Sequence, residues 1–208
     1  MATHRVFVLS PASCSGERAR LLTAPRAASS LALRLREPGG APLGEVFSFL
    51  SGLYFRGKLA YARAFAAPPS RAPGGGVLVI TSNAGLQPAD VPLTLVALRA
   101  AATVDIDPGN PRYRAPLEAT ARTLAASIGP ACEVVLLGSI ASDKYLPLLD
   151  VVLGPRLRFP VEFAGRGDMS RGGLLLRSVT EGRELTYVPV AAGPRHGPRP
   201  PRLARLGR

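Results

Sequence analysis

Short unbroken apolar runs alternate along this chain with segments in which apolar residues recur every three or four positions. Val6-Phe7-Val8-Leu9, Val77 to Ile80 and Val134 to Leu137 are unbroken runs, the pattern of strands buried on both faces. The first strand is expected over residues 5–10. Gly16 to Thr23 reads as a helix with Ser15 as its N-cap, and Ser29 to Glu37 as a second, ended by Pro38-Gly39-Gly40. From Gly44 to Ala67 apolar residues keep helical spacing, interrupted at Gly52 and Gly57, which predicts two helices or one broken helix. After the run 77–80, Thr81 to Asp90 reads as a polar loop, followed by a helix to Ala101 and a short strand at Val104-Asp105-Ile106-Asp107. An amphipathic helix is expected over 115–128, stopped by Gly129-Pro130. A strand and a helix fill 133–153, a strand 157–163, a helix 170–179 and a last strand 185–190. Strands alternating with helices predict one α/β domain over residues 1–192, with a mixed central sheet and flanking helices.

The polar segments behind three of the apolar runs carry the candidate chemistry. The most informative is Gly138-Ser139-Ile140-Ala141-Ser142-Asp143-Lys144-Tyr145, between the run 134–137 and the apolar segment 148–153. A similar segment, Ser10 to Gly16, follows the first run, and Phe163 to Arg171 lies downstream. Ligands of open α/β sheets gather at the carboxyl ends of strands, so the three loops read as one composite site.

Composition changes this picture in one respect. The 208 residues are 47% hydrophobic and 19% charged, as in globular chains, but 26 Lys and Arg against 14 Asp and Glu leave a net charge of +12. Excess positive charge favours polyanionic partners. Only Lys58 and Lys144 are lysine, and heavy use of Ala, Gly, Pro and Arg is also what GC-rich codon usage produces. Residues 193–208 hold Arg195, Arg199, Arg202, Arg205 and Arg208 and no acid, which reads as a flexible basic tail or an arm making phosphate contacts. No apolar run approaches the roughly 18 residues of a membrane span. A strand starting so near the N-terminus leaves no room for a signal peptide, so the cytoplasm is the expected compartment and no membrane partner is expected.

Ser10, Ser13, Ser15, Ser139 and Ser142, ahead of helix starts, suit phosphate oxygens, and they equally suit helix capping and turn closure. Asp143 in a first helical turn is favoured by the helix dipole, or orients Lys144 or a substrate hydroxyl. Arg166 and Arg171 offer planar forks for phosphate, with Asp168 between them and glycines 165, 167, 172 and 173 allowing close backbone approach. Alternatively an Arg–Asp pair closes a turn there. Arg56, Lys58 and Tyr61 share one helix and line a cleft or form a solvated face. Asp105 and Asp107 suit a divalent ion, an acid/base pair or a turn. Cys14 beside a helix start has no histidine nearby to serve as its base, and Cys132 reads as a buried residue. His4 and His196 lie near opposite ends of the chain, without other ligands at metal spacing. No phosphate-loop or dinucleotide fingerprint is present, so neither metal nor cofactor is expected.

Three motifs in order carry a family likeness. Leu9-Ser10-Pro11-Ala12, Ala141-Ser142-Asp143-Lys144-Tyr145 and Arg166-Gly167-Asp168-Met169-Ser170-Arg171 resemble the Ser-Pro-Ala, Ala-Ser-Asp-x-Tyr and Arg-Gly-x-Met-Ser-Arg elements of the YaaA peroxide-stress family. Phe55-Arg56-Gly57-Lys58 is similar to its Phe-x-Gly-Asp element, with lysine in place of the acid. Ser82 to Asp90 is similar to its glycine- and proline-containing loop, without the tyrosine, and Val91-Pro92-Leu93-Thr94 replaces the Pro-Tyr-Arg that normally follows. The resemblance implies a divergent member with an α/β fold, a basic cleft that binds DNA and a role in oxidative stress. The candidate nucleic-acid or phosphate-binding residues are Ser10, Ser15, Arg56, Lys58, Ser142, Asp143, Lys144, Tyr145, Arg166, Asp168, Ser170 and Arg171. The first functional expectation is nucleic-acid binding through backbone contacts. The alternative is an enzyme acting on a nucleotide or nucleobase, its phosphate held by the serine-rich loops. A third is an interaction protein whose charge reflects codon usage.

Overall fold

A computed structural model describes residues 4–194, 197, 198, 200 and 201. In chain order the elements are β1 (Arg5–Leu9), α1 (Glu17–Thr23), α2 (Ser30–Arg34), β2 (Ala41–Pro42), α3 (Leu43–Ser51), α4 (Leu53–Phe65), β3 (Val77–Ile80), β4 (Leu86–Pro88), β5 (Pro92–Leu93), α5 (Leu95–Ala102), α6 (Pro111–Ile128), β6 (Glu133–Leu137), α7 (Leu146–Leu153), β7 (Leu157–Pro160), α8 (Asp168–Glu181) and β8 (Tyr187–Pro189). The main sheet runs β4-β3-β1-β6-β7-β8. Its four inner strands are parallel, and β4 and β8 pair antiparallel at the edges. A two-stranded sheet of β2 and β5 sits apart. This is the expected single α/β domain with a mixed sheet.

The apolar runs became the centre of that sheet. Phe7 pairs with both Val77 and Val135, and Val6–Leu9 and Val134–Leu137 are fully buried. Removing each such side chain from water contributes about 1.5–3 kcal/mol. The chain leaves β1 toward β3 on one side and then crosses back to β6 on the other. Right-handed crossovers therefore place α4 on one face and α6 and α7 on the opposite face. The contacts agree: α6 packs with α7, and α8 packs along α4. The reversal of direction falls beside β1, where the loops after β1 and β6 part and leave a crevice.

The helical stretch 44–67 breaks once, at Gly52, whose φ of +67° side-chain-bearing residues rarely adopt. Gly57 has another use. A Cβ there would lie 2.8 Å from the Gly172 carbonyl oxygen, and one at Gly172 would lie 2.9 Å from the Leu53 oxygen. The backbones of α4 and α8 thus touch, so Gly172 serves helix packing rather than the ligand approach expected of it. Gly165, with φ +68°, lies against the carbonyls of Gly197 and Pro198.

Several boundaries differ from expectation. Gly16, not Ser15, caps α1, and no side chain supports it. The loop 81–90 contains β4, an edge strand too short to show a period. Residues 104–107 form no strand, because β1 and β6 are already flanked on both sides. α6 begins at Pro111, with the Asn110 side chain accepting from Arg112 N. The expected tail falls partly outside the described residues, which include none of Arg195, His196, Arg199, Arg202, Arg205 and Arg208. Among the described residues no helix is long and apolar enough to cross a membrane, and no group of three metal-ligating side chains occurs.

Candidate functional site

The crevice beside β1 holds a cavity of about 610 Å³. Its wall comes from the loop after β1, the loop after β6, Ser82 behind β3, residues 104–107 and the start of α8. Of the residues expected to form a site, Ser10, Ser15, Ser142, Lys144, Tyr145, Asp168 and Arg171 line it, and Lys58 lies directly beneath Ser10. Ser13 and Ser139 line it as well. Serine hydroxyls ring a space typical of small-ligand sites.

Four expected residues stand apart. Arg56 is exposed on the outer side of α4, in a separate groove with Glu45 and Arg63. Positions 56 and 58 differ by about 200° around a helix, so the two cannot share a face. Asp143 is exposed and does not line the cavity. Arg166 and Ser170 hold the loop instead: Arg166 donates to the Glu162 carbonyl at 3.0 Å and to Ser170 Oγ at 3.2 Å. Tyr61, expected in a cleft or on a solvated face, is fully buried, its hydroxyl 2.5 Å from the Tyr187 hydroxyl and accepting from Leu185 N.

The floor is unusual because its polar groups sit in apolar surroundings. Lys58 is 1% exposed. Its Nζ donates to the carbonyl and Oγ of Ser10, both at 2.8 Å, and stands 4.6 Å and 4.7 Å from the ring centres of Tyr54 and Phe55. Burial lowers its pKa to about 7; Asp168 opposes the shift and Arg171 adds to it. No carboxylate forms an ion pair with it among the described residues.

Tyr145 lies beside this pair. Its hydroxyl accepts from Ser139 N at 2.8 Å, and burial raises its pKa while the Ser139 amide and the Ser142 and Ser10 hydroxyls oppose the rise. Gly138 makes room for it, since a Cβ there would lie 2.7 Å from the Tyr145 oxygen and 2.8 Å from Ser10 Cβ. Tyr54 was not foreseen as a site residue. Its buried hydroxyl faces Arg171 without a hydrogen bond of good geometry; burial raises its pKa, and the Arg171 charge opposes the rise. Arg171 is anchored by two bonds to the Phe163 carbonyl, at 3.1 Å and 3.3 Å, and only loosely paired with Asp168 at 4.0 Å.

The backbone N–H groups from Ala12 to Ser15 donate to no partner among the described residues, although these residues line the cavity. Free amides in a loop of this kind suit an anion. Asp107 accepts from Gly109 N at 2.8 Å, the turn-closing use expected of it, and Asp105 stands two residues before it on the same wall. Cys14 is buried, and burial pushes its thiol up to about 11, which removes it as a nucleophile near neutral pH. The cavity can therefore hold an anion on loop amides, hydroxyls and Arg171; two phenols line it, and a buried amine backs its Ser10 hydroxyl. Compared with models of known protein families, with curated proteins and with solved structures, the chain matches none.

Proposed function

We propose that the cavity binds a nucleotide through its phosphates and that the protein is an enzyme acting on it. The observation that carries this reading is a bounded space of about 610 Å³ at a strand-order reversal, walled by serine loops with unpaired amides. Its wall bears Lys144 and Arg171 together with Asp105, Asp107 and Asp168. Mixed charge suits a compact ligand with a polar base and sugar better than a long polyanion. Arg171 and the amides after β1 take the phosphates, and the acids face the remainder.

Nucleic-acid binding of the YaaA type is the second reading, favoured by the net charge of +12 and by the three motif segments, each of which supplies residues to this cavity. The two readings part in one titration. A nucleoside diphosphate and a labelled DNA duplex are each titrated into the full chain at two salt concentrations. A nucleotide enzyme binds the diphosphate, and Arg171→Met weakens that binding about tenfold, the worth of one charge-assisted contact. Steeply salt-dependent binding of the duplex, with no saturable binding of the diphosphate, would establish the second reading instead.

A further inference from the structure

Phosphate binding leaves one pair at the floor of the cavity unused. Lys58 Nζ lies 2.8 Å from Ser10 Oγ, and Ser10 follows the end of β1, where the serine loop begins. Gathering an anion needs neither the burial of this lysine nor its lack of a carboxylate partner. Burial of an ammonium without a paired carboxylate disfavours its charge, which favours the neutral amine. A neutral amine has a lone pair and accepts the proton of an adjacent hydroxyl; a lysine so placed is an established activator of serine. The Tyr145 oxygen accepts from Ser139 N–H and stands beside the Ser10 and Ser142 hydroxyls.

We infer that Ser10 and Lys58 form a nucleophile–base pair: Ser10 Oγ attacks the terminal phosphorus of a phosphoanhydride held in the cavity, and Lys58 Nζ takes the hydroxyl proton. The choice of phosphorus rests on the nucleotide reading above. The Oγ–P bond forms as the bridging P–O bond breaks. The bridging oxygen leaves on the shortened nucleotide and receives the proton from Lys58. A water molecule then attacks the phosphoserine and gives a proton to Lys58. Orthophosphate leaves as Ser10 Oγ recovers that proton. Water cleaves one anhydride, and nothing is oxidised or reduced. Arg171 on the wall faces the charge that develops on phosphorus.

The charged and titratable groups around Lys58 are Asp168 and Arg171 on α8 and Tyr54 on α4, with Tyr145 next to Ser10. The test treats the full-length protein with a fluorophosphonate, follows its mass and maps the adduct. Ser10 is expected to carry the single adduct, with fluoride displaced. The rate is expected to rise with pH to a plateau, with its midpoint near 7 where Lys58 becomes neutral. Lys58→Met is expected to slow labelling about 100-fold or more and to flatten the profile, the usual contribution of a general base. An adduct elsewhere, no adduct, or an unchanged rate in folded Lys58→Met overturns the pair. If that variant does not fold, a pH-independent rate in the wild type overturns it equally. A nucleoside diphosphate added to the reaction separates the two proposals. Labelling of Ser10 that the nucleotide does not slow keeps the pair and removes the nucleotide. Nucleotide binding with an inert Ser10 does the reverse.

Discussion

The floor and the rim of the cavity use the same residue types in opposite ways. At the rim, Lys144 and Asp168 are exposed and water screens their charges. At the floor, Lys58, Tyr54 and Tyr145 are buried among aromatic rings and strand ends. The chain's two lysines are thus one at each level. Burial shifts the floor lysine to about 7, into the range where it exchanges a proton near neutral pH. Reactivity is therefore expected at the floor and ligand selection at the rim.

The largest test of this contrast acts through the helix crossing that holds the floor in place. Gly172→Val puts side-chain atoms where α4 and α8 touch, 2.9 Å from a backbone oxygen that cannot yield. It is expected to cost about 3 kcal/mol or more in chemical denaturation, the upper range for overpacking. A loss below about 1 kcal/mol would mean that the crossing does not fix the floor. The next effect is on pH dependence. Lys58 has a lower pKa folded than unfolded, so from about pH 7 upward the unfolded chain binds the extra proton and stability rises with pH. Between about pH 7 and 8.5, where the cysteines titrate alike in both proteins and cancel, the wild type should gain about 1.5 kcal/mol relative to Lys58→Met. Equal slopes in denaturation at several pH values would return Lys58 to the behaviour of an exposed lysine. The smallest effect belongs near the rim. Asp143→Ala should change stability by less than about 0.5 kcal/mol, as exposed substitutions do. A larger loss would show that this loop is as constrained as the floor.

The sequence made the rim more legible than the floor, for a physical reason. Ser15, Ser142 and Lys144 stand in polar loops behind apolar runs, and the rule that ligands gather at strand ends finds them without knowledge of packing. The unbroken runs also announce β1, β3 and β6, because parallel strands buried on both faces need no alternation. Lys58 is harder. Read with Arg56 and Tyr61 it looks like part of a charged face, but Tyr54, Lys58 and Tyr61 keep i, i+4, i+7 spacing and lie on the buried stripe of α4. That spacing was the available signal, and hydrophobic periodicity discounts it because lysine counts as polar. The helix crossing was less visible still: Gly57 and Gly172 are far apart in sequence, and only the fold brings them together. Residues 104–107 misled in the other direction, since a run with strand character needs a free sheet edge that the topology denies it.

The contact between Gly57 and Gly172 also bears on how this protein can be altered. With no side chain between the two helices, the joint has no adjustable filler, and resizing a core residue cannot slide Asp168 and Arg171 relative to Lys58. A change in what the cavity accommodates, by drift or by engineering, is thereby channelled into the loops around residues 12–15, 104–107 and 139–144. There, length and composition can vary while the arrangement of Ser10, Lys58 and Arg171 beneath stays in register.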